Sequence, residues 1–271
     1  MSTIVVGADF SDGSHLAVNL AVDVAQHWGH DVQMVGVRPD GCSTQQVKDQ
    51  IADLSRRFDD IADKIKIDSL LCEGNVVDAI CRQASAVNAA LVIVGSHAVT
   101  GFKKRLGRDT YELVAKSPVP VLTIRQDFVF HPQFKNILLP IDNNPYSRQK
   151  LPMAIRFAKS YGSTLHLLGL CESWRSELNT IVRNYARQAK SYLDSLNIPC
   201  TVDCVEATSK VPSVALGYAE SVNADMVMLM NDMNTSLTRF LAGTNEERTL
   251  TESRIPVLSM RPEQLHTIHS F

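Results

Sequence analysis

Leu91 to Arg125, LVIVGSHAVTGFKKRLGRDTYELVAKSPVPVLTIR, decides the fold. An apolar run ends in Gly95. A loop of small and basic residues follows, Gly107 opens a helical pattern, and a second apolar run starts at Val119. The order is strand, loop, helix, strand. The same order suits an anion. Loop amides beside a glycine can converge on phosphate oxygens, and a helix N-terminus adds positive dipole. Lys103, Lys104, Arg105 and Arg108 add charge. A solvated loop closing a βαβ unit fits the spacing too, because a loose glycine pattern is a weak signal.

Upstream, Thr3 to Ala8 is a β-branched apolar run that Asp9 ends. Ser11-Asp12-Gly13-Ser14 is a turn with capping chemistry. Leu16, Leu20, Ala21, Val24, Ala25 and Trp28 then recur at helical spacing until Gly29. Val32 to Val37 is the next strand. Val47, Ile51, Leu54, Phe58, Ile61 and Ile65 form one apolar stripe and predict a helix that runs through Ile65. Ile67 to Cys72 is a strand, Glu73-Gly74-Asn75 a turn, and Val77, Ile80, Cys81 and Ala84 mark a third helix. The alternation βαβαβαβαβ predicts an α/β fold with a mainly parallel sheet and right-handed crossovers.

The pattern then repeats. NILLPID, Asn136 to Asp142, repeats the first strand and its terminal aspartate. Ser147 to Tyr161 repeats the first helix, and Gly162 stops it. TLHLLGL, Thr164 to Leu170, answers VQMVGV, and Leu178, Ile181, Tyr185, Ala189, Tyr192 and Leu196 rebuild the long stripe. Thr201–Val205, Val211–Val222 and Met226–Met230 give strand, helix and strand. Gly243-Thr244 precedes a helix, and Ile255-Pro256-Val257-Leu258 opens the last strand. Asp142, Gly162 and Gly169 each lie 133 residues after Asp9, Gly29 and Gly36; Gly243 and Pro256 each lie 136 after Gly107 and Pro120. A near-constant offset means a tandem duplication. The expected domains are residues 1–127 and 135–262, with a linker at 128–134 and a loose tail at 263–271. The linker region DFVFHPQF is short and aromatic, so the domains should pack together.

The opening stretch resembles the nucleotide-site segment of the universal stress protein family. Its ATP-binding members carry Gly-x2-Gly-x9-Gly-Ser/Thr after the fourth strand, then a helix and a strand opening like Val-Pro-Val-Leu. Gly95 and Gly107 fill the first and third glycine positions. Ala98 stands at the second, the loop from Ala98 to Gly107 is one residue short, and Arg108 replaces the hydroxyl residue. With the repeat, the resemblance covers nearly the whole chain twice. It implies an adenine nucleotide alpha hydrolase-like, doubly wound sheet of strand order 3-2-1-4-5 in each half. It also implies a nucleotide cleft at the ends of the first and fourth strands, and pairing of the halves through their fifth strands as a pseudo-dimer.

The resemblance places a nucleotide-contacting carboxylate at Asp9 and Asp142, where a turn former or helix cap is the alternative. It places a backbone contact to the base at Val37. In the first half the phosphate segment would use Gly95, Ser96, His97, Ala98, Gly107 and Arg108. Glycine lets phosphate approach the backbone, and the Arg108 guanidinium can bind phosphate bidentately or lie free on the surface. His97 reads as a loop histidine before a base or metal ligand. In the second half Met230 and Met233 take the places of Gly95 and Ala98, and Asn231 and Asp232 those of Ser96 and His97; Gly243 and Thr244 keep the family's spacing and hydroxyl. The first half is the better site.

Composition sets the limits. The chain has 271 residues, 45% hydrophobic and 21% charged, which is ordinary globular composition. A net charge of -2 gives no electrostatic case for nucleic acid or an acidic membrane. No apolar run approaches the roughly 20 residues needed to span a bilayer. MSTIVVGADF runs straight into a strand without signal-peptide features, so the cytoplasm is the expected compartment. None of the six cysteines forms a Cys-x2-Cys pair; Cys200 and Cys204 read as reduced core residues. No Gly-x-Ser-x-Gly, Walker A or His-Glu-x2-His motif is present. The expected function is a stress-response regulatory module that binds, or formerly bound, ATP or another adenine nucleotide with Mg2+, with slow ATP hydrolysis at most. The alternatives are an interaction or scaffold protein without nucleotide, or an adenylating-type enzyme using Asp9 to Ser14 as a pyrophosphate loop. A homodimer and unknown protein partners complete the expectation.

Overall fold

The computed structural model describes residues 2–8, 12–37, 44–58, 64–96, 108–126, 128, 133–171, 176–206, 211–231, 249 and 253–262. The first half contains β1 (Thr3–Ala8), α1 (Asp12–Trp28), β2 (Asp31–Val37), α2 (Thr44–Arg56), β3 (Ile67–Cys72), α3 (Val76–Ala86), β4 (Leu91–Ser96), α4 (Arg108–Lys116) and β5 (Val121–Arg125). The second contains β6 (Asn136–Ile141), α5 (Leu151–Tyr161), β7 (Thr164–Cys171), α6 (Ser176–Ser195), β8 (Cys200–Glu206), α7 (Val211–Ser221), β9 (Met226–Met230) and β10 (Val257–Met260). The inner strands are near-continuous apolar runs because both sheet faces are covered there, whereas β3 and β8 carry exposed polar residues.

All ten strands form one sheet, in the order β3-β2-β1-β4-β5-β10-β9-β6-β7-β8. Each half has the order 3-2-1-4-5, and all pairing within a half is parallel. The fifth strands meet antiparallel: Val257 faces Thr123, Leu258 faces Leu122 and Ser259 faces Val121. The buried Thr123 hydroxyl donates across this seam to the Val257 carbonyl at 3.1 Å. The halves are thus a pseudo-dimer in one chain.

The core follows the same plan. On one face a single apolar cluster spans both halves, with Ile4, Ile93 and Ile124 joined to Phe157, Met228 and Leu258. On the other face the core divides into two clusters, one around Ile80, Val92 and Val114 that also takes in Val257 of β10, and one around Leu138, Leu168 and Val227 in the second half. Phe134, buried just before β6, lies with its ring centroid 5.5 Å from Phe157 and 5.2 Å from Tyr161. Trp28 meets Phe157 edge-on at 4.9 Å. These contacts join α1 to α5.

Local chemistry sets the element ends. Gly29 and Gly162 take φ of +63° and +68°, a left-handed conformation that ends α1 and α5 at little cost. Asn75 caps α3 by accepting from the Asp78 amide at 3.0 Å. The entry to the fifth strand is built identically twice. Ser117 Oγ donates to the Val119 carbonyl and Ser253 Oγ to the Ile255 carbonyl, each at 2.7 Å.

Two sequence expectations are corrected. The stripe from Val47 to Ile65 is not one helix: α2 ends at Arg56, Phe58 lies in a turn, and Ile65 lies in a bend before β3. Ile61 is outside the described residues. Ile65 is still buried, so the periodicity there marks burial and not helix. The first helix is also not repeated whole. A 3-10 turn at Pro145–Arg148 comes first, and α5 begins only at Leu151. Pro152 is the cause: its ring excludes the carbonyl four residues back, so it fits only in a helix's first turn.

At Gly95 the fold has no room for a side chain. A Cβ built there would overlap the Gly13 backbone and come within 2.9 Å of the Ser14 nitrogen. Gly95→Ala is expected to destabilise the chain by about 1–3 kcal/mol, as overpacking does. Gly217, inside α7, has nothing within 4 Å of such a Cβ. Gly217→Ala is therefore expected to stabilise by about 0.5–1 kcal/mol through helix propensity. Urea unfolding of the two variants checks both signs.

Candidate functional site

Open α/β sheets bind ligands at the carboxyl ends of the strands where strand order reverses. In the first half that point lies between β1 and β4, which pair in parallel from Ile4–Leu91 to Val6–Ile93. Helix α1 leaves β1 here, and its first turn rests on the end of β4 through the Gly13–Gly95 contact. Two glycines 82 residues apart let backbone meet backbone, and the N-terminus of α1, the positive end of its dipole, stands at the end of the strand. Ser14 in that turn is buried. The sequence assigned Gly95 to close approach of phosphate; the fold also needs it glycine for the close approach of α1. Gly13 is the partner that sequence reasoning did not single out, and its signal was a glycine inside a helix-capping turn.

Around this point Gly95 and Ser96 close β4, opposite Ile124 and Arg125 of β5. Val37 closes β2 opposite Cys72, and Arg108 is the first residue of α4. Asp9, His97, Ala98 and Gly107 lie outside the described residues, as do Gly243 and Thr244 of the second half.

The second switch point, between β6 and β9, is built differently. In the repeat register Tyr146 stands for Gly13 and Met230 for Gly95, so the backbone-to-backbone approach is gone. The 3-10 turn occupies the place of α1's first turn. Asp142 Oδ1 accepts from the Asn144 amide at 3.1 Å, and Asn144 Oδ1 accepts from the Tyr146 amide at 3.0 Å. Ser147 Oγ donates to the Asp142 carbonyl at 3.4 Å. The Asp142 carboxylate here forms the turn, which is the alternative role the sequence allowed. Arg148 lies 4.0 Å over the Tyr185 ring and donates to Gln188 Oε1 at 2.7 Å. Asn231, in the register of Ser96, serves the seam: its amide donates to the Met260 carbonyl at 2.6 Å and its side chain to the Val114 carbonyl at 3.3 Å.

Beneath this turn lies Lys150, in the place of the core residue Ala17. It is only 2% exposed, and its Nζ donates to the Ser147 carbonyl at 2.5 Å. Burial lowers its pKa to about 8, while the Asp142 charge acts in the opposite direction. A buried ammonium is costly without several acceptors, and this one sits where the first half has only a methyl group. Sequence reasoning missed it; the signal was a lysine in a core register of the repeat.

Among the described residues no group of three or more His, Cys, Asp or Glu side chains is placed to hold a metal ion. The cysteines there, Cys72, Cys81, Cys171, Cys200 and Cys204, are unbridged thiols. No described helix is long and apolar enough to cross a membrane.

Fold and switch points together define a tandem α/β protein of the adenine nucleotide alpha hydrolase-like type. The sequence model of the Universal stress protein family matches residues 1–125 and again 133–261, so the chain belongs to that family. Among solved structures it is similar to a universal stress protein from Archaeoglobus fulgidus DSM 4304, at 18% identity and TM-score 0.76 over 97% of each chain. A functionally unknown protein from Pseudomonas aeruginosa PAO1 is 16% identical with TM-score 0.67, over 97% of this chain and 93% of that one. A universal stress protein solved in complex with cAMP is 23% identical, with TM-score 0.39, over 46% of this chain and 98% of its own. No curated protein matches the sequence.

Lys150 gives the site a titration with a definite sign. Its folded pKa is about 8, below the ordinary 10.5, so between these values the unfolded chain holds a proton that the folded chain has released. Stability therefore rises with pH from about 8 to 10.5, by on the order of 3 kcal/mol at most. Lys150→Met keeps the stem volume without the charge. It is expected to raise stability at neutral pH and to remove this part of the rise, which denaturant midpoints across pH 7 to about 10.5 measure.

Proposed function

We propose that this protein is a stress-response regulatory module that binds an adenine nucleotide, ATP or ADP with Mg2+, in its first half. The difference between the two switch points carries the proposal. In the first, the N-terminus of α1 meets the end of β4 through two glycines. In the second, Tyr146, Met230 and the buried Lys150 stand at the corresponding places. In this reading Asp9 contacts the ribose or adenine, the Val37 backbone the base, and the segment from Ser96 through His97 and Ala98 to Gly107 and Arg108 the phosphates. Nucleotide would order loop 96–108 and bias a surface that partner proteins recognise. Asp142, Gly243 and Thr244 would be the remnants of a second site.

We infer a regulatory role, with slow ATP hydrolysis at most. Cytoplasmic location, domain bounds at 127 and 135, a homodimer through a further surface and unknown protein partners belong to the same proposal. A module kept for its surfaces alone is the second reading. It is favoured by Lys150 and by the altered first-half loop, where Ala98 and Arg108 depart from the family pattern. An adenylating-type enzyme is third, and it alone requires pyrophosphate release.

Protein purified without added nucleotide, denatured and examined by liquid chromatography and mass spectrometry is expected to release ATP or ADP near one per chain. Failure to release nucleotide or to bind ATP at millimolar concentration would sink the proposal in favour of the surface-only module. Arg108→Ala is expected to weaken ATP about tenfold or more if the guanidinium holds phosphate, as charged hydrogen bonds do. Unchanged affinity makes Arg108 a surface residue. Gly95 variants are unsuited to this test because they strike α1 first.

A further inference from the structure

The contact between α1 and α5 holds ionisable groups that the candidate site does not use. The Arg156 guanidinium of α5 lies 3.8 Å over the Trp28 ring. Its Nη2 also bonds His30 Nε2, just beyond the end of α1. Trp28 meets His30 edge-on at 5.9 Å. Nearby, Tyr161 stacks on His27 at 4.0 Å and donates its hydroxyl to Asp23 Oδ2 at 2.7 Å. A guanidinium can only donate, so His30 Nε2 must accept. Neutral imidazole offers that lone pair; imidazolium does not.

We propose that this contact is an acid-sensitive clasp between the two halves, in which protonation of His30 at Nε2 turns an acceptor into a second cation facing Arg156 and releases the arginine. Among the described residues the groups that act on His30 are Arg156 from α5, Asp31 from β2 and the backbone at Gly29. Burial is the largest influence and lowers the His30 pKa below its ordinary 6.5; Arg156 acts in the same direction, and Gly29 and Asp31 oppose it. The Arg156 guanidinium is itself partly desolvated.

The sign follows from linkage. The unfolded chain takes up a proton that the folded clasp refuses, so the clasp's stabilisation is complete above pH about 6.5 and is lost as pH falls below it. Asp23 has the opposite sign. Burial raises its pKa, more than the Tyr161 hydrogen bond and the His27 charge lower it, so its ionisation costs stability as pH rises. A loss of stability on acidification therefore has the sign of His30 and not of Asp23; His166, whose pKa burial also lowers, shares that sign, so the clasp is read at Trp28, beside His30. The clasp stands whether or not the first half binds nucleotide.

Trp28 reports on the clasp directly. The chain has two tryptophans, Trp28 and Trp174. In a Trp174→Phe chain, Trp28 emission is expected to change with a single midpoint below pH 6.5, the ordinary histidine value. His30→Gln supplies an amide oxygen near the place of Nε2 and takes up no proton, so it is expected to abolish that transition. An unchanged midpoint in His30→Gln would assign the transition to another group and overturn the clasp, as would flat emission in the parent chain. If His30→Gln does not fold, nuclear magnetic resonance of the full chain with labelled histidine decides instead. A His30 midpoint below 6.5 that moves up in Arg156→Gln supports the clasp; a midpoint at or above 6.5 overturns it.

Discussion

The antiparallel pairing of β5 with β10 is the constraint on which the rest depends. Each half alone would leave its fifth strand as an unpaired edge, with a row of free amides and carbonyls. Joined, the two edges satisfy each other and the sheet runs through ten strands. Because the sheet is continuous, the apolar layer on one face is continuous too, and within it Phe157 of α5 meets Trp28 of α1. The seam also recruits groups from the cleft ends: Asn231, which follows β9, is tied to Met260 and to α4.

Within this near-symmetric frame the halves diverge where symmetry is not needed for the seam. The serine-locked turn before the fifth strand is kept in both copies, hydrogen bond for hydrogen bond. The helix after the first strand is not. Gly13 and Gly95 hold α1 against β4, whereas Pro152 delays α5 and a 3-10 turn fills the gap over Lys150. Features that build the sheet are shared, and those at the switch points have separated.

Much of the fold was legible in the residues. Apolar runs placed the strands, and Gly29 and Gly162 marked two helix ends by their backbone freedom. The offsets of 133 and 136 revealed the duplication. Strand order and the fifth-strand pairing came from family resemblance, since periodicity carries no information on which strand lies beside which. The failures have physical causes. Ile65 kept a helical spacing because it is buried, although its backbone is not helical there. The packing role of Gly95 was hidden because its partner, Gly13, is distant in sequence. Lys150 was passed over within the repeated helix, although the 133-residue offset sets it in the register of Ala17; its burial is what the structure adds.

Joining the fifth strands also fixes the valence of the molecule. Its remaining sheet edges are β3 and β8, each paired on one side only among the described residues. They expose Asp68 and Ser69 on one, and Thr201, Asp203 and Glu206 on the other. Charge on a strand edge disfavours the addition of another strand. A separate single-domain relative therefore finds no open fifth strand here to exchange with, so the chain is insulated from mixed pairing and its two unequal halves stay together one to one.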